Sequence, residues 1–457
     1  MKKNTIHQGL LSLVLVSSLG ACTTLSPNGA EQAVREQAAK LLGQSTATKI
    51  NSRAEQRDEL LAKTLQADDA VAVALLNNPS LQKHFAQLRI SETELVANTR
   101  LRNPSLSLGR SNQGSEHEVN RSIAFDVMGL LTLPFSAPVA KQHYQNAQLL
   151  AVQAVLNLAR DTRLAYFDAV ASQQRARYAA DVKLAAEAGR DLAKNLASVG
   201  NISRLDAARE QAFYAEAMAN QVRAQSQQNE ALERLARLLG LTQTQAIKLP
   251  DTLPELPSEP RVLNQIEQLA MTQRIDVQMA KRDVENTAKS LKLSKVTRFV
   301  NVLELGYQHN TFFFFFKQTG VEVSFELPLF DFGTTRVAQA QAQAIYQGAV
   351  AQATETAINA QSEARSAYLH YRTTYDLAKH YRDEVVPLQK QISDEVLLRY
   401  NGMLISTFEL LEQSRAQIES VQNYLDALHD FWVAEAELNS TLQGTGASMS
   451  SRGRNNE

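Results

Sequence analysis

The chain of 457 residues carries 47 Lys and Arg against 48 Asp and Glu, a formal charge of −1, which argues against a polyanion-binding protein. Its mean hydropathy is −0.28, and no window holds the roughly 18 apolar residues of a spanning helix, which excludes a polytopic helical membrane protein. Gly (18) and Pro (11) are few and clustered, and long Ala/Gln/Glu/Arg/Leu tracts fill the remainder, the composition of long helices packed closely together.

Lys2 and Lys3 precede an apolar run from Leu10 to Leu19, and Leu19-Gly20-Ala21-Cys22 follows. A basic start, a short apolar stretch and small residues make residues 1–21 a bacterial export signal, too short to span a membrane. Its ending on Cys is similar to a lipobox, in which Cys22 becomes the lipidated N-terminus. An ordinary secretory signal with an incidental Cys is the alternative. Thr23, by resemblance to other lipoproteins, favours the outer over the inner membrane. Cys22 is the only cysteine, so an exported chain forms no internal disulfide.

Residues 22–67 read as a polar, Ala-rich tether with a helix from about Gly29. A first repeat, 68–248, opens on a short helix and Asn77-Asn78-Pro79-Ser80-Leu81; a second, 261–444, places Thr272 to Val277 in the same position. Asn103–Leu108 and Ser122–Leu133 are candidate strands of the first repeat, Phe299–Gln308 and Thr319–Leu329 of the second. Gly109 with Gly306, Pro134 with Pro328, Gly200 with Gly402 and Gly240 with Gly444 recur in order at nearly constant offsets, which indicates an internal tandem duplication. Leu249–Pro260, with four prolines, reads as the linker, and 445–457 as a flexible tail.

Long helices are expected over roughly 139–198, 203–240, 335–398 and 405–443, or about 60 to 95 Å each at 1.5 Å per residue. Leu205, Ala208, Ala212, Ala215, Ala219 and Val222 step by three and four, as do Leu411, Ser414, Ile418, Val421, Leu425, Leu428 and Trp432. Both are coiled-coil seams. In Val321–Leu327, Val321, Val323, Phe325 and Leu327 alternate with Glu322, Ser324 and Glu326, so one strand face is apolar and the other polar. Ile123, Phe125 and Val127 alternate in the same way. Such strands cross an outer membrane, but four cannot close a barrel and open edges are not tolerated in lipid. Two chains would enclose only side chains, so passage of a solute requires three or more. The fold class is therefore mainly α, with helical hairpins and four transmembrane strands per chain. A soluble helical protein with two small hairpins is the alternative.

The lipobox, the Asn-Asn-Pro opening, the Leu-Pro strand-to-helix junctions and the duplicated hairpins resemble the TolC-type outer-membrane efflux channels over about residues 68–443. The most specific stretches are Leu398-Arg399-Tyr400-Asn401-Gly402-Met403-Leu404-Ile405-Ser406, followed by Phe408-Glu409-Leu410-Leu411-Glu412, and Ser198-Val199-Gly200-Asn201-Ile202-Ser203-Arg204-Leu205-Asp206. The second hairpin has one residue more than the first. The resemblance implies a homotrimer with a twelve-stranded barrel in the outer membrane and a helical barrel through the periplasm. It further implies a periplasmic adaptor (membrane fusion) protein at the hairpin tips and an inner-membrane pump behind it, with no nucleic acid involved.

By the same resemblance, Asp206, Glu409 and Glu412 match carboxylates that ring the narrow tunnel end. Rings of like charge in a narrow mouth repel anions and attract cations; their alternative role is to stabilise helix N-termini. Arg204 and Arg399 are candidate ion-pair partners for the closed mouth. Gly200, Ser203, Gly402 and Ser406 are candidate adaptor contacts, and both glycines are expected in left-handed conformation. Glu322 and Glu326 are expected to face the barrel lumen. Phe312–Phe316 fits an aromatic girdle, an outer constriction or a lipid-embedded loop. No phosphate loop follows a strand, and His370 and His380 lack metal-ligand spacing; His84, His143 and His429 read as exposed helix residues. No catalytic residue, metal site or cofactor is expected beyond the covalent lipid on Cys22. The expected function is a passive exit duct for small molecules or metal ions in a tripartite efflux system. The alternatives are the duct of a type I protein-secretion system and a non-pore periplasmic coiled-coil lipoprotein.

Overall fold

The computed structural model describes residues 25–42, 55–100, 102–113, 116–244, 247–296, 302–312, 316–326 and 334–444. The export signal, Cys22, Phe313–Phe315, the second Leu-Pro junction at 327–333 and the tail lie outside them. The described elements are α1 (Glu31–Leu42), α2 (Glu55–Ala62), α3 (Ala67–Asn77), α4 (Pro79–Thr99), β1 (Ser105–Gln113), β2 (Glu116–Asp126), α5 (Val127–Ser198) and α6 (Arg204–Leu239). They continue with α7 (Ile266–Gln273), α8 (Ile275–Val296), β3 (Val302–Phe312), β4 (Phe316–Glu326), α9 (Thr334–His380), α10 (Val386–Asn401) and α11 (Thr407–Gln443). The order from α3 to α6 recurs from α7 to α11. The chain forms two compact units, Met1–Val34 with His84–Ala151 and Gln278–Thr356, and Arg35–Lys83 with Val152–Val277 and Ala357–Glu457.

The first unit holds one antiparallel sheet in the order β1-β2-β3-β4. Each hairpin extends further towards its turn than its apolar alternation suggests. Leu106 pairs with Ile123, Tyr307 with Val321, and Gln113 with Glu116 at the turn. The expected strand Ser122–Leu133 is instead Glu116–Asp126, with helix from Val127. The cause is local: Gly129 N donates to Asp126 Oδ1 at 2.7 Å, the bond of an N-cap carboxylate. Leu130 and Leu131 thus prolong a hydrophobic run without prolonging the strand.

The second unit is a helical core. Tyr166, Val170, Leu235, Leu239, Tyr371, Tyr375, Leu428, Phe431 and Leu438 are all buried, on helices α5, α6, α9 and α11. Phe431 lies 5.5 Å from Tyr371 and 5.1 Å from Trp432, ring centre to ring centre. Burial, together with the charge of Asp69, pushes the Tyr166 phenol up to about 12, and its hydroxyl donates to Leu65 O.

The proline-rich segment Leu249–Pro260 lies across this core as a strap. Leu253 and Leu256 are buried in it. Trp432 Nε1 donates to Pro254 O at 3.0 Å, the Tyr375 hydroxyl to Ser258 O at 2.8 Å, and Arg382 Nη1 to Leu256 O at 3.3 Å. Gln173 Nε2 reaches Pro250 O at 3.0 Å, so helices of both hairpins hold the strap. Prolines lack N–H groups and leave carbonyls to be satisfied, and these side chains satisfy them.

The helix expected to run unbroken to residue 398 is interrupted by a π-turn at Tyr381–Val385, between α9 and α10. Pro387 follows within the first turn of α10. It has no N–H and its ring crowds the carbonyl four residues back, and the wider turn relieves both problems. His429 is not exposed as the sequence suggests: its Nε2 lies 2.8 Å from Asp168 Oδ1 and its Nδ1 3.3 Å from Asp430 Oδ1. Burial opposes its charge, but the two carboxylates outweigh that and hold its pKa above the usual imidazole value.

Candidate functional site

Two helical hairpin tips in the second unit and the sheet of the first unit carry the candidate residues. At the first tip α5 ends in a left-handed cap: Gly200 has φ +81°, its N–H donates to Ala197 O, and Asn201 N donates to Leu196 O. That is the paired-bond ending in which glycine is favoured, because a Cβ is disfavoured at positive φ. At the second tip the same bonds run from Met403 N to Tyr400 O and from Leu404 N to Arg399 O. Gly402 there has φ −80°, and the left-handed position falls on Met403 at φ +58°. The extra residue of this hairpin moves the cap one place beyond its glycine.

Met403 therefore holds a conformation that costs an L-residue about 1–2 kcal/mol. Met403→Gly is expected to slow hydrogen exchange at the Leu404 amide about fivefold, if about 1 kcal/mol of that strain is relieved. Gly200→Ala should speed exchange at Asn201 comparably. Unchanged rates in both would mean that the tips do not hold these caps.

Ser203 and Ser406 are helix N-caps. Ser203 Oγ accepts from Asp206 N at 3.1 Å, and Ser406 Oγ accepts from Glu409 N at 3.2 Å. Asp206 and Glu409 thus occupy equivalent places in the first turns of α6 and α11. The Asp206 carboxylate also accepts from Ser203 Oγ at 2.7 Å and lies 3.4 Å from Arg209 Nη1. Glu409 and Glu412 are exposed. Arg399 pairs with Glu395 of its own helix at 2.9 Å. None of the ion pairs among the described residues joins Arg204 or Arg399 to the three carboxylates.

Behind the tips the hairpins are tied by residues that sequence reasoning did not single out. Arg415 Nη2 lies 2.5 Å from Glu210 Oε1, and its guanidinium stacks over Phe213 at 4.4 Å from the ring centre. Arg209 covers the Phe408 ring at 5.2 Å. Glu210 is 3% exposed and shares a seven-residue spacing with Ala217, Ala224 and Ala231. One acid at an otherwise alanine position was the signal available in the sequence.

That spacing marks the face of α6 which packs inside this chain. The seam expected from sequence is a different face: Leu205 is 61% and Val222 67% exposed, and Ala208, Ala212 and Ala215 are exposed with them. In α11 the expected seam does pack inward, with Leu425 and Leu428 buried. One seam is filled within the chain, and the other is left exposed among the described residues.

In the sheet, pairing aligns Phe125, Leu305 and Val323 in one cross-strand row and Leu106, Ile123, Tyr307 and Val321 in the next. All seven are exposed. The alternate positions beside these rows are small or polar: Ser105, Ala124, Gly306 and Glu322 in one row, Ser107, Ser122, Gln308 and Gly320 in another. Glu322 accepts a hydrogen bond from Gln308 Nε2 across the strands. Glu326 occupies an alternate position of the same set in β4. Phe312 pairs with Phe316 in the register of Ser111 and Glu118. Among the described residues no helix is long and apolar enough to cross a membrane, and no cluster of three potential metal ligands occurs.

No protein-family model and no curated protein matches the chain. Solved structures do. The Campylobacter jejuni CmeC outer membrane channel aligns with TM-score 0.70 over 84% of this chain and 86% of its own, at 14% identity. VceC, an outer membrane protein of Vibrio cholerae, gives 0.70 over 83% and 96% at 16% identity. The open state of the Neisseria gonorrhoeae MtrE outer membrane channel gives 0.64 over 83% and 89% at 17%. This chain has the fold of the outer-membrane channels. The resemblance expected from the sequence is met at the level of that fold, mainly helical with a small antiparallel sheet.

Proposed function

We propose that three copies of the chain form a passive exit duct through the outer membrane, fed by a periplasmic adaptor and an inner-membrane pump. The observation that carries this reading is the sheet. One of its faces carries exposed apolar rows, the positions beside them on the other face are small or polar, and among the described residues β1 and β4 have no partner on their outer edges. In lipid such edges are tolerated only when closed by further strands, and three copies supply a twelve-stranded barrel. The open seam Leu205–Val222 of α6 gives neighbouring copies a matching helical surface. The recurring element order supports an internal duplication, and the export signal with Cys22 supports lipid anchoring in the outer membrane of a Gram-negative bacterium.

Asp206 and Glu409, at equivalent places in the two tips, are assigned to acidic rings at the narrow end, with Glu412 one turn further on. Their capping bonds fix the backbone beneath them; ringed by symmetry, their charges favour cations. Glu322 and Glu326 are assigned to the barrel lumen, and the exposed tips at Gly200 and Gly402 to the adaptor. Small molecules or metal ions are the proposed cargo.

Single-channel recording of the detergent-extracted oligomer in planar bilayers tests this. Small, cation-selective currents are expected, rising severalfold in Asp206→Ala/Glu409→Ala. An unchanged current in the variant removes the acidic rings and keeps the duct. A folded trimer with no current at all removes the duct.

A further inference from the structure

The charges of the sheet are sorted by face. Arg110, Arg121, His309 and Lys317, one on each strand, all fall in the set of positions that carries the apolar rows. The acids Glu118, Asp126, Glu304 and Glu322 all fall in the alternate set. Random placement on an alternating strand does not separate signs in this way.

The basic residues are also neighbours. Arg121 pairs directly with His309; Arg110 lies diagonal to Arg121, and Lys317 diagonal to His309. Direct partners lie about 5 Å apart and diagonal ones about 7–8 Å, so the four form one continuous zigzag across the sheet. Arg110, Arg121 and Lys317 are exposed, and none makes an ion pair with a described residue. The zigzag occupies the two rows beyond Leu106–Ile123–Tyr307–Val321, on the side of the tight hairpins rather than the side where the strands enter helices.

Apolar rows followed at one edge by cations match one kind of partner: an acyl-chain lipid with an anionic headgroup. We propose that Arg110, Arg121, His309 and Lys317 form a binding belt for the headgroup phosphates of the lipid leaflet next to the hairpin turns. The proposal rests on the barrel reading above. With the helices on the periplasmic side, the hairpins lie in the outer leaflet, and three copies repeat the belt around the barrel. The acids, on the other face, leave the belt uncompensated, so a phosphate entering it meets only positive charge.

The test uses the purified, full-length oligomer and native mass spectrometry, with bis-phosphorylated lipid A and its dephosphorylated form as probes. Wild-type protein should retain the phosphorylated form preferentially. Arg110→Gln/Arg121→Gln/Lys317→Gln should weaken retention roughly fivefold per charge removed, about a hundredfold in all. Arg110→Lys/Arg121→Lys should preserve it, which separates loss of charge from misfolding. Inorganic phosphate at equal concentration should not displace the lipid, because the apolar rows hold the acyl chains; displacement would reassign the belt to a free anion. Equal retention of both lipids, or an unaffected triple variant, would overturn the proposal. Val323→Cys, exposed to a water-soluble maleimide, keeps the barrel reading distinct. Labelling there overturns the barrel itself, whereas protection with indifferent lipid binding overturns only the belt.

Discussion

Arg274→Ala is expected to lower stability by about 3 kcal/mol, the low end for breaking a buried ion pair because both acidic partners keep some solvent contact. Arg274 connects α7 to α8, and its side chain is 4% exposed. Its Nε lies 3.0 Å from Asp276 Oδ1, and its Nη2 2.7 Å from Asp276 Oδ2 and 2.8 Å from Glu363 Oε2. Burial works against the charge, and the two carboxylates more than compensate, holding the guanidinium pKa above its usual value. Removing the cation leaves two carboxylates facing each other without it. The same turn seats the end of α11: a Cβ on Gly444, which has φ +79°, would lie 2.6 Å from Asp276 Oδ1. Urea unfolding of the detergent-solubilised protein measures the change. A loss under about 1 kcal/mol would show that the cluster is hydrated and behaves as a surface pair.

Val323→Arg is expected to prevent stable insertion. In the proposed trimeric barrel, an arginine at the middle of a lipid-facing strand costs about 2–4 kcal/mol in each of the three copies. Ser324→Arg, one residue along and in the opposite set of positions, places its charge opposite Glu304 and should assemble normally. The fraction of oligomer in outer-membrane preparations distinguishes them. Equal yields would mean that the Phe125–Leu305–Val323 row does not face lipid.

The ends of α6 and α11 were legible in the sequence because their signals are local. Ser203 with Asp206 and Ser406 with Glu409 mark two N-termini, and Gly240 and Gly444 mark two C-termini in left-handed conformation. The two alternations around Phe125 and Val323 revealed the apolar sheet face. What stayed hidden depends on non-local partners. Two seams on α6 have comparable spacing, and only packing shows that Ala217 and Ala231 turn inward while Leu205 and Val222 do not. Glu210 and Arg415 lie 205 residues apart in sequence, so nothing local pairs them. The strand ends were missed because Leu130–Leu133 continue a hydrophobic run past the Asp126 cap, and Met403 was missed because its conformation is set by one additional residue in the turn.

The strap of Leu249–Pro260 has a mechanical consequence. It is bonded to Gln173 and Gln174 on one hairpin and to Tyr375, Arg382 and Trp432 on the other, so the two are clasped at that level. Spreading of the hairpins that releases the Arg415–Glu210 tie behind the tips would pivot about the clasp, with the stretch from Arg382 to Gly402 acting as a lever arm of about 30 Å at 1.5 Å per residue. A tilt of about 10° at such a fulcrum would carry the tip sideways by roughly 5 Å over that helical length. The π-turn at Tyr381–Val385 sits at the base of the arm, where a helix with a looser hydrogen-bond ladder bends with least resistance.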